Sequence, residues 1–263
     1  MLGQAKVMSH HPSSAAGFVE EATELVDAAK EKGIVLRILG ANAVRIHCPR
    51  FAYLHDALQR EITDIDFIGY SKQNGSVLKL LDELGYVSDK RMRMFQFLGR
   101  YLFENPSNKR HIDIFFDKLE FCHIIDFKGR LELDYPTISL GDIFLQKMQI
   151  VKINEKDIRD VMVLLREHEI GGQAKETMDS DYISGLLSRD WGFYYTVTTN
   201  LAKVGAFLPE YEVLSAEDRS DINTKIDRLS EAIEKREKSL AWRMRARTGT
   251  RTLWYREVDE TGL

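Results

Sequence analysis

Apolar positions along the first part of the chain change their spacing several times, which predicts alternating helices and strands. Helical spacing over residues 17–32 predicts an amphipathic helix that ends at Gly33. Residues 34–39 favour a strand, and a second helix at 41–47 is stopped by Pro49. This alternation indicates an α/β domain, with a sheet and flanking helices.

The same alternation continues through the middle of the chain. We predict strands at 64–70, 94–103 and 111–116, and a short helix that carries Val77 and Leu81 and is capped by Gly85. Helical spacing returns after Ile138 and predicts two further helices. Their apolar positions are Ile143, Phe144, Met148 and Val151 in the first and Ile158, Val161, Met162, Leu164 and Leu165 in the second.

After Gly171-Gly172 the composition shifts towards helix, so we divide the chain into a domain at 1–170 and a C-terminal helical region at 171–263. A helix from Trp191 is expected to pack its aromatic side on the first domain and to end at Pro209. Ser215, with Asp218 as a capping-box acid, predicts one long polar helix to residue 247. Its narrow apolar seam consists of Ile222, Ile226, Leu229, Ile233, Leu240 and Met244.

Composition narrows the class of protein. A chain of 263 residues that is 44% hydrophobic can bury a full core. A net charge of -4 argues against coating nucleic acid by bulk charge, although a local basic surface is compatible with it. Cys48 and Cys122 have no zinc-like spacing and are expected to be buried thiols. With no signal-like or membrane-spanning apolar segment, we expect a cytoplasmic protein with no membrane partner.

Acidic residues on two predicted strands are the candidate metal ligands. Asp64 and Asp66 are one residue apart, so both carboxylates lie on one side of a strand while Ile65 and Phe67 point into the core. Asp113, framed by apolar neighbours on a later strand, is the candidate third ligand, and Asp117 shares its strand parity and competes with it. Three acids on adjacent strands can hold two Mg²⁺ or Mn²⁺ ions for in-line displacement at phosphorus.

The order of these features resembles the nucleotidyltransferase fold of the DNA polymerase β superfamily. The features are, in order, Gly40-Ala41 before a helix, Asp64-x-Asp66 on a strand and Asp113 on a later strand. The runs at 139–147 and 155–160 are more narrowly similar to nucleotidyltransferase toxins of abortive-infection (type IV) toxin–antitoxin systems and their uncharacterised relatives. The resemblance covers about residues 33–165 and implies a mixed sheet with flanking helices.

The resemblance also implies a nucleotide site and specific roles. Asp64, Asp66 and Asp113 would bind the metal ions and act in catalysis, and the turn at Gly40 would hold the triphosphate. The implied nucleotide-binding residues are Gly40, Ala41, Asn42, Arg60, Lys147, Lys156 and Asp160. The implied reaction is transfer of a nucleoside monophosphate from a nucleoside triphosphate (NTP) to a hydroxyl of RNA, protein or a small molecule, with pyrophosphate release. An antitoxin-like protein is an expected partner.

Two departures from the family pattern are visible. Ala41 stands where the family has Gly or Ser, which keeps a backbone donor but removes a hydroxyl. Residues 51–59 lengthen the gap between the turn and the acids, either as a lid or as a packed extra turn. Arg45 and Arg50 are candidates to hold phosphates, but solvated surface arginines are the competing interpretation. Lys156, Asp157 and Asp160 could likewise form ordinary ion pairs on the helix surface instead of binding a nucleotide.

The end of the chain interleaves arginines with aromatic residues, as nucleic-acid surfaces do. The arginines are Arg243, Arg245, Arg247 and Arg251, between Trp242 and Trp254. Either this segment contacts RNA, or the tryptophans pack on their own domain. For the whole protein, there are two alternatives to a nucleotidyltransferase. One is a catalytically inactive nucleotide-binding or protein-interaction module, and the other is a different enzyme, a sugar transferase that uses Asp-x-Asp to hold a metal.

Overall fold

The computed structural model describes residues 15–88, 99–172 and 176–258. The main sheet is built from β1 (Leu36–Ile38), β2 (Asp64–Gly69), β3 (Val87–Ser88), β4 (Arg100–Glu104) and β5 (His111–Phe116). These five strands lie in the order β1-β2-β5-β4-β3, with β2 and β5 parallel and the other pairs antiparallel. Residues 94–98 of the predicted strand at 94–103 lie outside the described residues.

Helices flank this sheet and follow it along the chain. They are α1 (Ala15–Glu31), α2 (Gly40–His47), α3 (Ala52–Ala57), α4 (Asn74–Glu83), α5 (Leu140–Met148), α6 (Glu155–Glu167), α7 (Ser180–Leu187), α8 (Trp191–Phe207), α9 (Ala216–Lys235) and α10 (Leu240–Thr248). The predicted α/β class with C-terminal helices is confirmed. The described helices include none that is both long and apolar enough to span a bilayer.

The sequence pattern did not predict two small two-stranded sheets. They are formed by β6 (Lys118–Glu120) with β7 (Ile124–Asp126), and by β8 (Glu169–Gly171) with β9 (Thr177–Asp179). Each strand has three residues. Alternation over three positions is too short to separate a strand from a turn, so the hydrophobic pattern does not reveal them.

Alternation along β2 and β5 separates the core from the acids. Ile65, Phe67, Ile112 and Ile114 are completely buried, as expected for residues that face the interior of a central strand pair. On the helical side, α2, α5 and α6 pack against one another. This packing brings the start of α2 and the facing sides of α5 and α6 towards the same end of the sheet as the acids.

The segment between α2 and β2 is a packed element. Within and just after α3, Leu54 is 0% and Leu58 is 2% exposed. The Phe51 amide that precedes α3 donates to Glu167 Oε2 of α6 over 2.9 Å. Because its apolar side is already buried, the extra segment at 51–59 acts as core, and the lid alternative is not what the structure shows.

The prediction of one helix from Ser215 to residue 247 is wrong. The capping box of Ser215 and Asp218 is present, but α9 ends at Lys235 and a new helix starts after Ser239. Ser239 Oγ accepts from Trp242 N over 3.1 Å, and Ser239 N donates to Ser188 O over 2.9 Å. A second N-cap held by a distant carbonyl therefore interrupts the helix.

This break changes the proposed apolar seam. Ile222, Leu229 and Ile233 of α9 are fully buried, whereas Leu240 and Met244 of α10 are 71% and 61% exposed. Because α10 begins after a change of direction, its side chains no longer continue the stripe of α9. Leu240 and Met244 were therefore assigned wrongly to the buried face.

The C-terminal helices pack on the sheet domain, as predicted for the helix that begins at Trp191. In α8, Asn200 Nδ2 donates to Met148 O over 3.0 Å and to Ile150 O over 2.8 Å. His123, which precedes β7, stacks on Phe193 with ring centroids 4.8 Å apart. These contacts join the two parts of the chain, and the division at residue 170 stays a prediction.

Candidate functional site

The register of β2 and β5 places the three acids on one side of the sheet. Asp66 lies directly opposite Asp113, and Asp64 lies opposite His111. Residues aligned across neighbouring strands point to the same face, and so do residues two apart on one strand. Asp64, Asp66 and Asp113 therefore share a face, with Asp113 6% exposed and the other two half-buried.

The first turn of α2 lies directly against Asp66. Gly40 has a φ of +65°, and a Cβ added there would overlap Asp66 Oδ2. Gly40 N donates to Gln146 Oε1 of α5 over 3.0 Å, and Asn42 Nδ2 donates to the Asp64 carbonyl over 2.9 Å. Glycine is thus required twice, by its backbone conformation and by the close approach of a carboxylate. Ala41, next in the turn, is buried.

Gly40→Ala tests this close approach, and Gly33→Ala is its matched control. Gly33 has a φ of +70° but nothing within 4 Å of an added Cβ. Both substitutions incur the strain of a left-handed alanine, about 1 kcal/mol. Only Gly40→Ala also displaces Asp66, so we expect it to lower the free energy of unfolding in urea clearly more than the control does. Equal losses in the two variants would contradict the close contact.

Electrostatics at the three acids favour a bound cation. Burial, with the charges of Asp64 and Asp113, raises the pKa of Asp66 well above its usual value, and the nearby Lys147 and Arg100 oppose this only in part. Burial also raises the pKa of Asp113, with a further contribution from Asp64, against the effect of Arg100. A divalent cation would relieve this excess of negative charge.

Oxygen donors are the ligands that Mg²⁺ prefers, so the residue types fit a metal, but their arrangement does not complete a site. Within 15–88, 99–172 and 176–258, no three His, Cys, Asp or Glu side chains are close enough to hold an ion. The Asp113 carboxylate is instead engaged by Arg100 of β4, whose Nε lies 3.1 Å from Asp113 Oδ2 and whose Nη2 contacts the same oxygen. The sequence did not reveal Arg100, because its approach depends on the register of β4.

A buried ionic network links β2 to α5 and α6. Arg60, ahead of β2, donates from Nε and Nη2 to the two carboxylate oxygens of Asp160 over 2.9 and 3.0 Å. Lys147 Nζ lies 2.8 Å from Asp157 Oδ1 and 2.9 Å from Asp160 Oδ2. Of the predicted nucleotide-binding residues, Arg60 and Lys147 therefore both contact the carboxylate of Asp160.

Opposing effects set the charges in this network. Burial disfavours the ammonium of Lys147, but Asp157 and Asp160 outweigh it and raise its pKa. Burial likewise opposes ionisation of Asp160, yet Lys147 and Arg60 outweigh it and lower that pKa. Lys147 and Asp160 are therefore both held in their charged forms at neutral pH. Lys147 is also near enough to influence Asp66, so the network borders the acids.

Several other predicted residues lie elsewhere. Lys156 is exposed on α6 and does not join the network. Arg45 Nη2 donates to the Arg60 carbonyl over 2.6 Å, and Arg50 Nε pairs with Glu167 Oε1 over 2.8 Å. Both arginines thus hold protein groups rather than an open anion site. Gln146, which accepts the hydrogen bond from Gly40 N, was not predicted as a site residue, because a single glutamine on a helix does not form a recognisable sequence motif.

The two tryptophans of the C-terminal segment pack on α8. Trp242 meets Tyr194 edge to face at 5.0 Å, and Trp254 Nε1 donates to Thr196 Oγ1 over 3.2 Å. Arg245 Nη1 donates to the Gly249 carbonyl over 2.7 Å, which folds the tail back. Of the two interpretations of this segment, internal packing is the one the structure shows for the tryptophans.

Comparisons with known proteins add a distant structural similarity. No protein-family model and no curated protein matches the sequence. The chain is similar to the crystal structure of an antigenic nucleotidyltransferase-like protein from Paracoccidioides brasiliensis, at 14% identity, covering 88% of this chain and 98% of that one. The TM-score of 0.42 is too low for site residues or activity to be transferred from that protein.

Proposed function

We propose that the protein is a metal-dependent nucleotidyltransferase that transfers a nucleoside monophosphate from an NTP to a hydroxyl and releases pyrophosphate. The supporting observation is the direct pairing of Asp66 with Asp113 across two parallel strands, with Asp64 on the same face. A turn that closes tightly on Asp66 at Gly40 adds to it. Carboxylates clustered beside a helix start, next to a buried lysine, suit a triphosphate with its counter-ions.

The residues have distinct proposed roles. Asp64 and Asp66 would hold Mg²⁺ or Mn²⁺, which supplies charge neutralisation at the reacting phosphate. Asp113 would join them and orient the acceptor hydroxyl. Lys147 would face the phosphates, and Arg60 with Asp160 would fix its position. Since Lys147 is already paired with two aspartates, we assign it a shared role in folding and in nucleotide binding.

The alternative is a nucleotide-binding or protein-interaction module without catalysis. The ion pair of Arg100 with Asp113 is the observation that favours it, because one oxygen of that carboxylate is already paired with a cationic side chain. The fold itself does not decide, since one fold can host active and inactive members. An antitoxin-like protein partner stays a prediction from the sequence resemblance.

Nucleotide and metal binding give the first test of the site. Mg²⁺ or Mn²⁺ together with an NTP should raise the melting temperature more than either alone, because a ligand that binds only the folded state stabilises it by about 2.7 kcal/mol at 100 times its Kd. Differential scanning fluorimetry with each of the four NTPs measures this. No joint increment with any NTP would contradict the site.

RNA is the proposed acceptor class among the alternatives. Every charged residue from 238 to 256 is basic, in a chain whose net charge is -4. In α10, Arg243 and Arg247 lie one helical turn apart and are exposed, and Arg251 follows on the exposed turn after the helix. A concentrated positive surface complements a phosphate backbone.

Charge reversal at the exposed arginines tests RNA contact. Arg243→Glu with Arg247→Glu should weaken RNA binding and flatten its salt dependence, by about 0.7 of a slope unit for each lost contact with a single strand. NTP binding at the distant acids should not change. The matched control is Arg228→Glu together with Lys235→Glu on α9, where both side chains are also exposed. If wild type binds no RNA at low salt, or the α10 variant binds it as wild type does, these arginines are not an RNA surface.

A further inference from the structure

A cavity of about 520 Å³ lies at the opposite end of α2 from the three acids. Gly40 begins α2 and His47 ends it, so about 10 Å of helix separates the turn beside Asp66 from this cavity. Its other walls include His168, which follows α6, and the loop that carries Asp134. The volume falls within the range of small-molecule sites, and the proposed reaction does not use this part of the protein.

The walls of the cavity carry more negative than positive charge. Asp134 and Glu167 line it and are only 6% and 4% exposed, and Glu176 adds a third carboxylate at the exposed edge. Among the described residues of the lining, Arg50 is the one guanidinium or ammonium group, and its Nε pairs with Glu167 Oε1 over 2.8 Å. Three carboxylates against one guanidinium leave the lining negative.

Two helices end at this cavity. The last residue of α2 is His47 and the last residue of α6 is Glu167, and both line the cavity. The C-terminal end of a helix carries about half a negative charge from its unpaired carbonyl groups. The helix ends therefore add to the charge of the carboxylates, and the cavity favours a cation over an anion.

His168 indicates which kind of group the ligand presents. It is 4% exposed, and its Nδ1 lies 3.2 Å from the carbonyl oxygen of Glu176, which can only accept a hydrogen bond. Nδ1 is therefore the donor. Burial lowers the pKa of His168, so the ring is neutral at pH 7 and carries a single proton. Nε2 is then an acceptor, and no donor among the described residues bonds to it.

We propose that this cavity binds a small organic cation, a primary amine on a short aliphatic chain. An ammonium group carries three N–H donors, so it can pair with Asp134 and also donate to His168 Nε2. The aliphatic chain suits the apolar part of the lining, which consists of Ile46, Pro49 and Pro136. A bare metal ion is a poorer occupant, because no three His, Cys, Asp or Glu side chains in the described part of the chain are close enough to hold one.

Butylammonium, with 1-butanol as its neutral counterpart, tests the cavity. In long-range ¹H–¹⁵N NMR spectra of wild type at neutral pH, butylammonium should shift the ring signals of His168 until they saturate, with a Kd on the order of 1 mM for so small a ligand. 1-Butanol lacks the charge and should bind at least about tenfold more weakly. The ring of His123, which stacks on Phe193 and does not line the cavity, is the internal control and should not shift.

Substitutions in the lining test whether its carboxylates hold the amine. Asp134→Asn retains the shape of the side chain and should weaken butylammonium binding about tenfold, whereas Glu176→Gln, at the exposed edge, should weaken it about threefold. Glu132→Gln is the matched control. It removes an exposed carboxylate that lies outside the cavity, two residues before Asp134, and it should bind as wild type does. Thermal unfolding establishes that each variant is folded.

Three results would overturn the proposal. They are the absence of a saturating shift at His168 by about 10 mM butylammonium, equal binding of 1-butanol, and wild-type affinity in folded Asp134→Asn. If Asp134→Asn does not fold, Glu176→Gln takes its place, and wild-type affinity in that variant would overturn the proposal equally. Because the cavity lies apart from the three acids, each of these results would leave the proposed nucleotidyltransferase function standing.

Discussion

Asp66→Asn is expected to abolish the joint rise in melting temperature produced by Mg²⁺ and an NTP. The substitution removes the carboxylate that neighbours Asp64 along β2, lies opposite Asp113 on β5 and contacts the turn at Gly40. A bound metal supplies several kcal/mol of transition-state stabilisation, so transfer should fall by roughly 10²- to 10³-fold or more. Differential scanning fluorimetry and a transfer assay measure the two effects.

The same substitution should stabilise the metal-free protein at neutral pH. The folded-state pKa of Asp66 is raised above the usual 3.8, so its contribution to stability is fully present below that value and is lost as pH rises through the raised pKa. Asparagine does not ionise and avoids this loss. Urea unfolding at pH 8 should therefore favour the variant, and the advantage should shrink towards pH 4.

Asp117→Asn is the matched control for Asp66→Asn. Asp117 follows β5 and shares the strand parity of Asp113, and its carboxylate accepts a hydrogen bond from Ser71 N over 3.0 Å. The backbone of Asp117 has a positive φ, which asparagine tolerates. It should retain the full thermal increment. If Asp66→Asn retained the increment as well, or if Asp117→Asn lost it, the metal site would not lie at the proposed acids.

Asp160→Ala is expected to have the largest effect on stability. Its carboxylate is completely buried and pairs with both Arg60 and Lys147. Removing one partner of a buried ion pair leaves uncompensated charge and costs about 3–5 kcal/mol. Urea unfolding should show a loss of this size, whereas Lys156→Ala, exposed on the same helix, should stay within about 0.5 kcal/mol of wild type.

Lys147→Ala then separates structural from nucleotide-binding roles in this network. Loss of a charge-assisted contact to the triphosphate should weaken NTP binding by about 1–3 kcal/mol, in addition to any loss of stability. Equilibrium binding to the folded variant, in Mg²⁺, measures it. Normal NTP affinity with a lowered melting temperature would assign Lys147 to folding alone.

Local patterns predicted the strands that carry Asp66 and Asp113, because alternation with buried neighbours determines which face each residue occupies. The direct opposition of these two acids depends on strand register, which a single sequence does not encode locally. Arg100 reaches Asp113 only through the register of β4. The break before Ser239 was missed for a similar reason: the polar pattern runs on, and the interruption depends on the distant Ser188 carbonyl.

The predicted nucleotide-binding residues differ in where the structure places them. Lys147 stood out in the sequence because it lies on an otherwise apolar helix face, where a buried charge needs a partner. Asp160 was included through the resembling run, and the structure shows it buried. Lys156 was included through the same run, and it is exposed. A run of charges along a helix alternates between faces, so only some of its members can line one site.

Transfer of label from an NTP tests the central claim most directly. Wild type is incubated with Mg²⁺, total RNA and each NTP, labelled in separate reactions at the α- or the γ-phosphate. Nucleotidyl transfer predicts that α-label becomes attached to an acceptor while γ-label leaves as pyrophosphate, and that Asp66→Asn does neither. Attachment of γ-label, or no attachment from any NTP that raises the melting temperature, would contradict the proposed reaction.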